Sequence, residues 1–389
     1  IINLQFVVVV SFLAVAYYLR KEPLKVFLIF CHILVIFLLN DVLFPASYMP
    51  DQFRYVRVTQ ELRNFSSPSD KLNSTLGLSS LLFSLIPIPF INSVHSIAMM
   101  NFLIFLILFI FLRKYKLSSK RVDYFFLIYP SLLLYSSLAL RDMIILSFMF
   151  LSINVFITKD RIVLSLVFAL PLMLLKFQNY LMVIGGLILF FCLRRANFGR
   201  YFFLGSLVII AAFIPEKIPL VGQLYEKIEW WRFALFADQY GYNEDLIAQM
   251  QQYYEPLGTG LFLIYQIAKY FLYMLLKPLI WEVGNPLQLI QSLENMVIFA
   301  MIIWINRQKV VNEKISQKIL FLNCLLFVSM AINGLVVFNF GSAVRYKFPF
   351  IVIYFVYFFY LLKCDELFLR QLQAAWNGSL RTGLAISTN

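Results

Sequence analysis

Long apolar blocks fill this chain, and short polar stretches cut between them. Residues 2–19, 26–44, 97–112, 124–138, 143–157, 162–175, 181–193, 201–214, 295–305, 319–338 and 350–362 are nearly continuous in Leu, Ile, Val, Phe and Tyr. As helices, such blocks approach the roughly 17–25 residues that cross a bilayer. Alternating ten-residue strands, the signature of a membrane β-barrel, do not occur. The pattern predicts an all-α, polytopic membrane protein with about eleven transmembrane helices.

Two further apolar segments, 76–91 and 261–280, do not fit simple alternation. The first contains Pro87-Ile88-Pro89, and the second contains Lys269, Lys277 and Pro278. Both are predicted as re-entrant or interfacial helices, because irregular backbone at membrane depth needs protein or a water-filled cavity to satisfy it. Residues 1–372 then form one membrane domain with polar loops at 45–75 and 215–260. Residues 373–389 read as a polar tail without order of its own.

Composition agrees. The chain is 61% hydrophobic and only 14% charged, with a mean hydropathy of +0.81. A soluble domain carries about 25% charged residues. The net charge of +13 sits mainly beside apolar blocks, where orientation and lipid headgroups account for it without nucleic acid. The four cysteines show no CxxC spacing, so neither a metal site nor a disulfide framework is expected. The two histidines, His32 and His95, lie near no acidic cluster. No Walker loop, GxGxxG or Ser-His-Asp spacing is present, and no cofactor is expected.

Charge divides into two sets. Basic clusters at 20–25, 113–121, 194–200, 307–318 and 363–370 read as cytoplasmic loops by the positive-inside rule. The chain begins on an apolar block without a small-residue cleavage site, which reads as a true span. With that block as the first crossing, Arg54, Arg57, Arg63, Arg141, Lys176, Arg232, Arg345 and Lys347 all fall on the opposite side. Cations that defy the orientation rule point to an anionic partner there.

Four constellations carry candidate chemistry. The first is Asp51-Gln52-Phe53-Arg54-Tyr55-Val56-Arg57, where helical spacing puts Asp51, Arg54 and Tyr55 on one face. Opposite charge nearby favours the ionised form of an acid, which could then deprotonate a hydroxyl while arginines hold phosphate. The second is Arg141-Asp142 in a tight turn between two spans, where ionisable residues read as functional. The third is Asn339-Phe340-Gly341-Ser342-Ala343-Val344-Arg345-Tyr346-Lys347-Phe348-Pro349, predicted as a turn whose Pro349 opens the last span and whose cations cradle an anion. The fourth runs from Lys277 through Trp281-Glu282 to Glu294-Asn295. In the large loop, Trp231, Arg232 and several tyrosines are candidates to stack on sugar.

Asp51 with Tyr55, Leu140-Arg141-Asp142, and Asn339 and Gly341 with Arg345-Tyr346-Lys347 and Pro349 together resemble the Wzy/EpsG-like polysaccharide polymerases of bacterial envelopes. EpsG-like proteins often carry Arg-Gln where this chain has Arg141-Asp142, so Asp142 is not carried over. The resemblance implies an O-antigen or capsule repeat-unit polymerase in the bacterial inner membrane, with its active site facing the periplasm. Its partners would be an undecaprenyl-diphosphate oligosaccharide donor and acceptor, membrane lipid and a chain-length regulator. Undecaprenyl diphosphate would leave as the glycan is transferred in a block.

On that expectation Arg54, Arg57, Arg141 and Arg345 stabilise the leaving diphosphate, Asp51 is the first choice of base and Asp142 the second. Arg54, Arg57, Tyr55, Lys176, Arg232, Lys347, Glu282, Glu294 and Trp231 would contact substrate. Three rivals stand beside it: a GT-C-type glycosyltransferase, an O-antigen ligase, and a transporter or flippase of lipid-linked glycan. The arginines crowding Asp51 suit a diphosphate better than the metal that GT-C enzymes often use. Transport would instead favour charge at the membrane midplane.

Overall fold

The computed structural model describes residues 4–39, 50–65, 74–85, 93–194, 219–239, 244–251, 254–337 and 340–386. These residues form helices and turns, with no strand among them. Among the described residues, five helices are long and apolar enough to cross a membrane, and six shorter apolar ones accompany them. The protein is a membrane-embedded helical bundle.

The first helices are α1 (Leu4–Tyr18), α2 (Pro23–Leu39), α3 (Asp51–Arg63), α4 (Thr75–Leu85) and α5 (Val94–Lys114). Ser93 caps α5 by accepting from the Ser96 amide, and Arg113 and Lys114 complement the dipole at its far end. Then come α6 (Lys120–Ile128), α7 (Pro130–Ser136), α8 (Asp142–Lys159), α9 (Ile162–Leu175) and α10 (Phe177–Leu193). Helix α8 begins on Asp142 and stops where Asp160 turns left-handed at φ 54°. The remainder comprises α11 (Pro219–Gln239), α12 (Glu244–Met250), α13 (Leu261–Leu276), α14 (Pro286–Asn306), α15 (Glu313–Val336) and α16 (Phe340–Ile386).

Helices α8, α9, α10, α15 and α16 pack in succession, and α5, α6 and α7 close the bundle against α8 and α16. Phe105, Phe126, Phe150, Phe348 and Tyr357 fill the interior and are fully buried. The outer faces of α1 and α9 are apolar: Phe6, Val9, Leu13, Val163, Val167 and Leu174 are all exposed. Apolar stripes on both helices suit lipid. Helices α13 and α15 approach so closely at Gly334 that an added Cβ would lie 2.3 Å from the Tyr270 carbonyl oxygen. Only glycine fits there.

Several expectations change. The predicted span at 124–138 is two helices, because Pro130 forces Tyr129 out of helical geometry, to ψ 114°. Pro349 does not open the last span; it lies inside α16, which starts at Phe340. Arg345 and Lys347 therefore project from a helix rather than a loop. Lacking an N–H, Pro349 gives the Arg345 carbonyl no helical donor. The loop predicted at 215–260 contains α11 and α12, and α11 packs on α15. Helix α16 continues to Ile386, through most of the predicted tail. Segment 76–91 is helical as α4 to Leu85, and 261–280 begins with α13. The predicted span at 201–214 lies outside the described residues.

The bundle has two chemically distinct ends. At one, Arg113 pairs with Glu22, and Lys25 bonds Asp123 at 2.6 Å as well as Glu22. There too, Lys363 donates to the Ser118 carbonyl at 2.9 Å and Arg121 meets Glu366 at 3.5 Å. Asp365 accepts from the Val311 and Asn312 amides, and Lys318 reaches Asp160 at 3.3 Å. Four of the basic clusters are thus stitched together. Arg194, from the fifth, closes the far end of α10. Asp142, which opens α8, and Arg345, near the start of α16, stand at the opposite ends of those helices from Lys159 and Lys363.

Candidate functional site

The site is built on a buried stretch of non-helical backbone, residues 137–141, between α7 and α8. Buried backbone polar groups require partners. Asn101 of α5 supplies two, donating from Nδ2 to the carbonyls of Leu138 and Leu140 at 2.6 Å each. Gln52 of α3 supplies a third, accepting from the Ala139 amide at 2.8 Å. Asn101 Oδ1 has no partner among the described residues, so its amide serves here through its donors. Neither residue stood out in the sequence, because a neutral amide in an apolar helix carries no orientation signal.

This stapled segment delivers Arg141 and Asp142. The Asp142 side chain is 2% exposed and sits in the first turn of α8, where the helix dipole favours a carboxylate. Arg345 of α16 donates to it from Nε at 2.8 Å. The same guanidinium donates from Nη1 to Asp51 Oδ2 at 3.0 Å. One arginine thus joins the first residue of α3 to the first residue of α8. Asp51 differs from Asp142 in access, with 46% of its side chain exposed.

More cations surround this bridge. Arg54 lies 3.6 Å from Asp51, and Arg141 donates to the Thr75 carbonyl at 3.0 Å, tying α4 to the site. Tyr55 is buried one turn beyond Asp51. Burial raises the proton affinity of its hydroxyl, and the nearby Arg141 and Arg345 oppose the shift. Lys176 occupies the bend between α9 and α10, its ammonium 3.8 Å from the Tyr346 ring centroid. Three guanidiniums therefore face two carboxylates, and the local balance is positive.

The other candidates sit apart from the bridge, with defined protein partners. Arg57 is exposed and pairs with Glu61 on its own helix at 3.1 Å. Glu294 accepts from the Ser131 amide and hydroxyl, at 3.0 and 2.6 Å, and so satisfies the start of α7 at the Pro130 break. Lys347 donates to Asn295, whose Nδ2 donates in turn to the Lys277 carbonyl at 2.7 Å. Glu282 stays in its own turn, bonded to Lys277 and the Leu279 amide. Burial pushes its carboxyl up, but those two donors outweigh it and hold the group below the usual range.

Arg232 is fully buried and committed to protein: it donates to the carbonyls of Glu255 and Leu335 and to the Tyr270 hydroxyl. It clasps α11 to α13 and α15 rather than presenting donors to an anion. Trp231 is half-buried, with Lys227 over its ring. His32 is buried against Ser136 and Leu127, stacked on Phe105 at 4.0 Å. Among the described residues, no group of three or more His, Cys, Asp or Glu side chains gathers to hold a metal ion.

No protein-family model, curated protein or solved structure matches this chain. Its chemistry is read from its own residues.

Proposed function

We propose that the protein is a glycosyltransferase that polymerises undecaprenyl-diphosphate-linked oligosaccharide repeat units. The observation that carries this reading is the Asp51–Arg345–Asp142 bridge, ringed by further cations at the end of the bundle opposite the basic loops. By the positive-inside rule, that end faces away from the cytoplasm. In a bacterial inner membrane it meets the periplasm, where the lipid-linked substrates would stand with their glycans.

The partition of roles follows from access. Asp51, half-exposed, takes the proton of the acceptor hydroxyl. The hydroxyl oxygen bonds to the anomeric carbon of the donor glycan as the bond from that carbon to the phosphate oxygen breaks. Undecaprenyl diphosphate leaves with the electron pair, and its growing charge falls to Arg54 and Arg141. Arg345 holds Asp51 in place and adds its positive charge to the same field. Asp142, nearly inaccessible, fixes Arg345 and is not the base.

Deletion of the gene followed by gel separation of surface glycan tests the reading. A product carrying a single repeat, in place of the ladder, is expected. An unchanged ladder overturns it, and complete loss of surface glycan moves the assignment to a ligase or a transporter. Transport is the second reading, favoured by Glu294, buried near the middle of α14, and by buried Lys347 in α16. Retention of activity under chelation of divalent metal separates the proposal from the GT-C alternative.

A further inference from the structure

Lys176 and Lys347 are both buried lysines near the same end of the bundle, but their surroundings differ. Lys347 is 1% exposed and donates to Asn295 Oδ1 and the Met274 carbonyl. Lys176 is 7% exposed, and none of the described residues accepts a hydrogen bond from its ammonium. Its contact is the Tyr346 ring, which occupies one side of the cation. An ammonium carries three donors. A lysine buried to this extent is costly unless its charge is compensated.

The charged neighbours do not supply that compensation. Among the described residues Asp142, from α8, is the one carboxylate acting on Lys176, and it is already bound by Arg345. Arg345 from α16 and Arg141 ahead of α8 both repel it. Lys227 of α11, beside Phe177 at 5.8 Å, adds positive charge to the neighbourhood. The group that would complete this arrangement is an anion from outside the chain.

We propose that Lys176, floored by Tyr346 and flanked by Arg141, is the docking point for an anionic oxygen of the substrate, a phosphate or a sugar carboxylate. That the anion belongs to a lipid-linked glycan rests on the function proposed above; the anion site does not. Burial draws the Lys176 ammonium down, Asp142 pushes back, and Arg345 and Arg141 reinforce the fall, to about 7. An arriving anion reverses this and holds the lysine charged. Affinity therefore falls as pH rises above neutral.

The test is equilibrium binding to the full chain in detergent micelles at pH 6 and pH 8.5. Farnesyl diphosphate and glucuronate are the probes, with glucose as the neutral control. The wild type is expected to bind at least one anion and to bind it more weakly at pH 8.5. Lys176→Gln is expected to lose about tenfold or more, the worth of a charged hydrogen bond. Lys176→Arg should keep binding and flatten the pH dependence, because arginine stays protonated.

Binding of farnesyl diphosphate alone assigns the site to the carrier phosphate, and of glucuronate alone to an acidic sugar. The proposal is overturned if neither anion binds the wild type, if Lys176→Gln binds like the wild type, or if Lys176→Arg retains the full pH slope. Thermal melts of each variant confirm that the comparison is between folded proteins. A normal glycan ladder after gene deletion would sink the polymerase reading while leaving these titrations untouched.

Discussion

Arg345 and Asp51 stand 294 positions apart in the chain, yet Nη1 of one donates to Oδ2 of the other at 3.0 Å. The same arginine holds Asp142, whose side chain is 2% exposed. Removing the arginine alone strands that carboxylate. Arg345→Met is expected to lower stability by about 3–5 kcal/mol, the usual penalty for breaking a buried pair. Adding Asp142→Asn should recover most of that loss without restoring polymer formation. Melting curves in detergent read the first effect, and gel analysis of glycan reads the second.

Asp51 offers the opposite balance. Its side chain is 46% exposed, so its ion pairs contribute little to the fold. Asp51→Asn is expected to fold normally and lower kcat by about 10²–10⁴, the range for a lost general base. Steady-state kinetics with a synthetic lipid-linked repeat unit would check this. A comparable rise in KM with unchanged kcat would make Asp51 a binding residue.

The neutral amides should be as sensitive as the charges. Asn101→Leu takes donors from two buried carbonyls, and Gln52→Leu takes an acceptor from the Ala139 amide. Each group stranded costs about 1–3 kcal/mol. Both variants are expected to melt early and to lose activity together, because residues 137–141 carry Arg141 and Asp142. Exposed Arg57→Ala, by contrast, should leave stability unchanged.

Lys176 gives stability a pH dependence of definite sign. Its folded proton affinity, at about 7, is below the value of an unfolded lysine, near 10.4. Between those values the unfolded chain binds the extra proton, so this group's contribution to stability rises with pH across that window. Lys176→Met is expected to raise the melting temperature most at or below pH 7, and progressively less towards pH 10. A melting difference independent of pH would show that the wild-type lysine does not titrate as described.

Much of this arrangement was legible in the chain. Asp51, Arg141, Asp142 and Arg345 could be nominated because charge beside apolar blocks is conspicuous, and alternating the spans put them on one side. Charge alone, however, could not separate Arg345, which bridges two acids, from Arg232, which is spent on backbone carbonyls. Both look the same in a list of misplaced arginines. Pro130 went unread and Pro349 misled for a related reason: proline restricts its neighbours, but the packing around it decides whether a helix breaks, as at Tyr129, or continues, as in α16. Gln52 and Asn101 left no trace, since their partners are main-chain atoms of a distant segment.

The ion pairs at the basic end give Lys25, Arg113, Arg121, Lys318 and Lys363 two successive duties. On the orientation proposed above, these cations bias which way each hairpin points while the chain is threaded into the bilayer. Once the helices meet, the same groups clip neighbouring turns through Glu22, Asp123, Asp160, Glu366 and the Ser118 carbonyl. Reversing a charge there would disturb insertion first and assembly afterwards, and restoring topology by other means would still leave the turns unclipped.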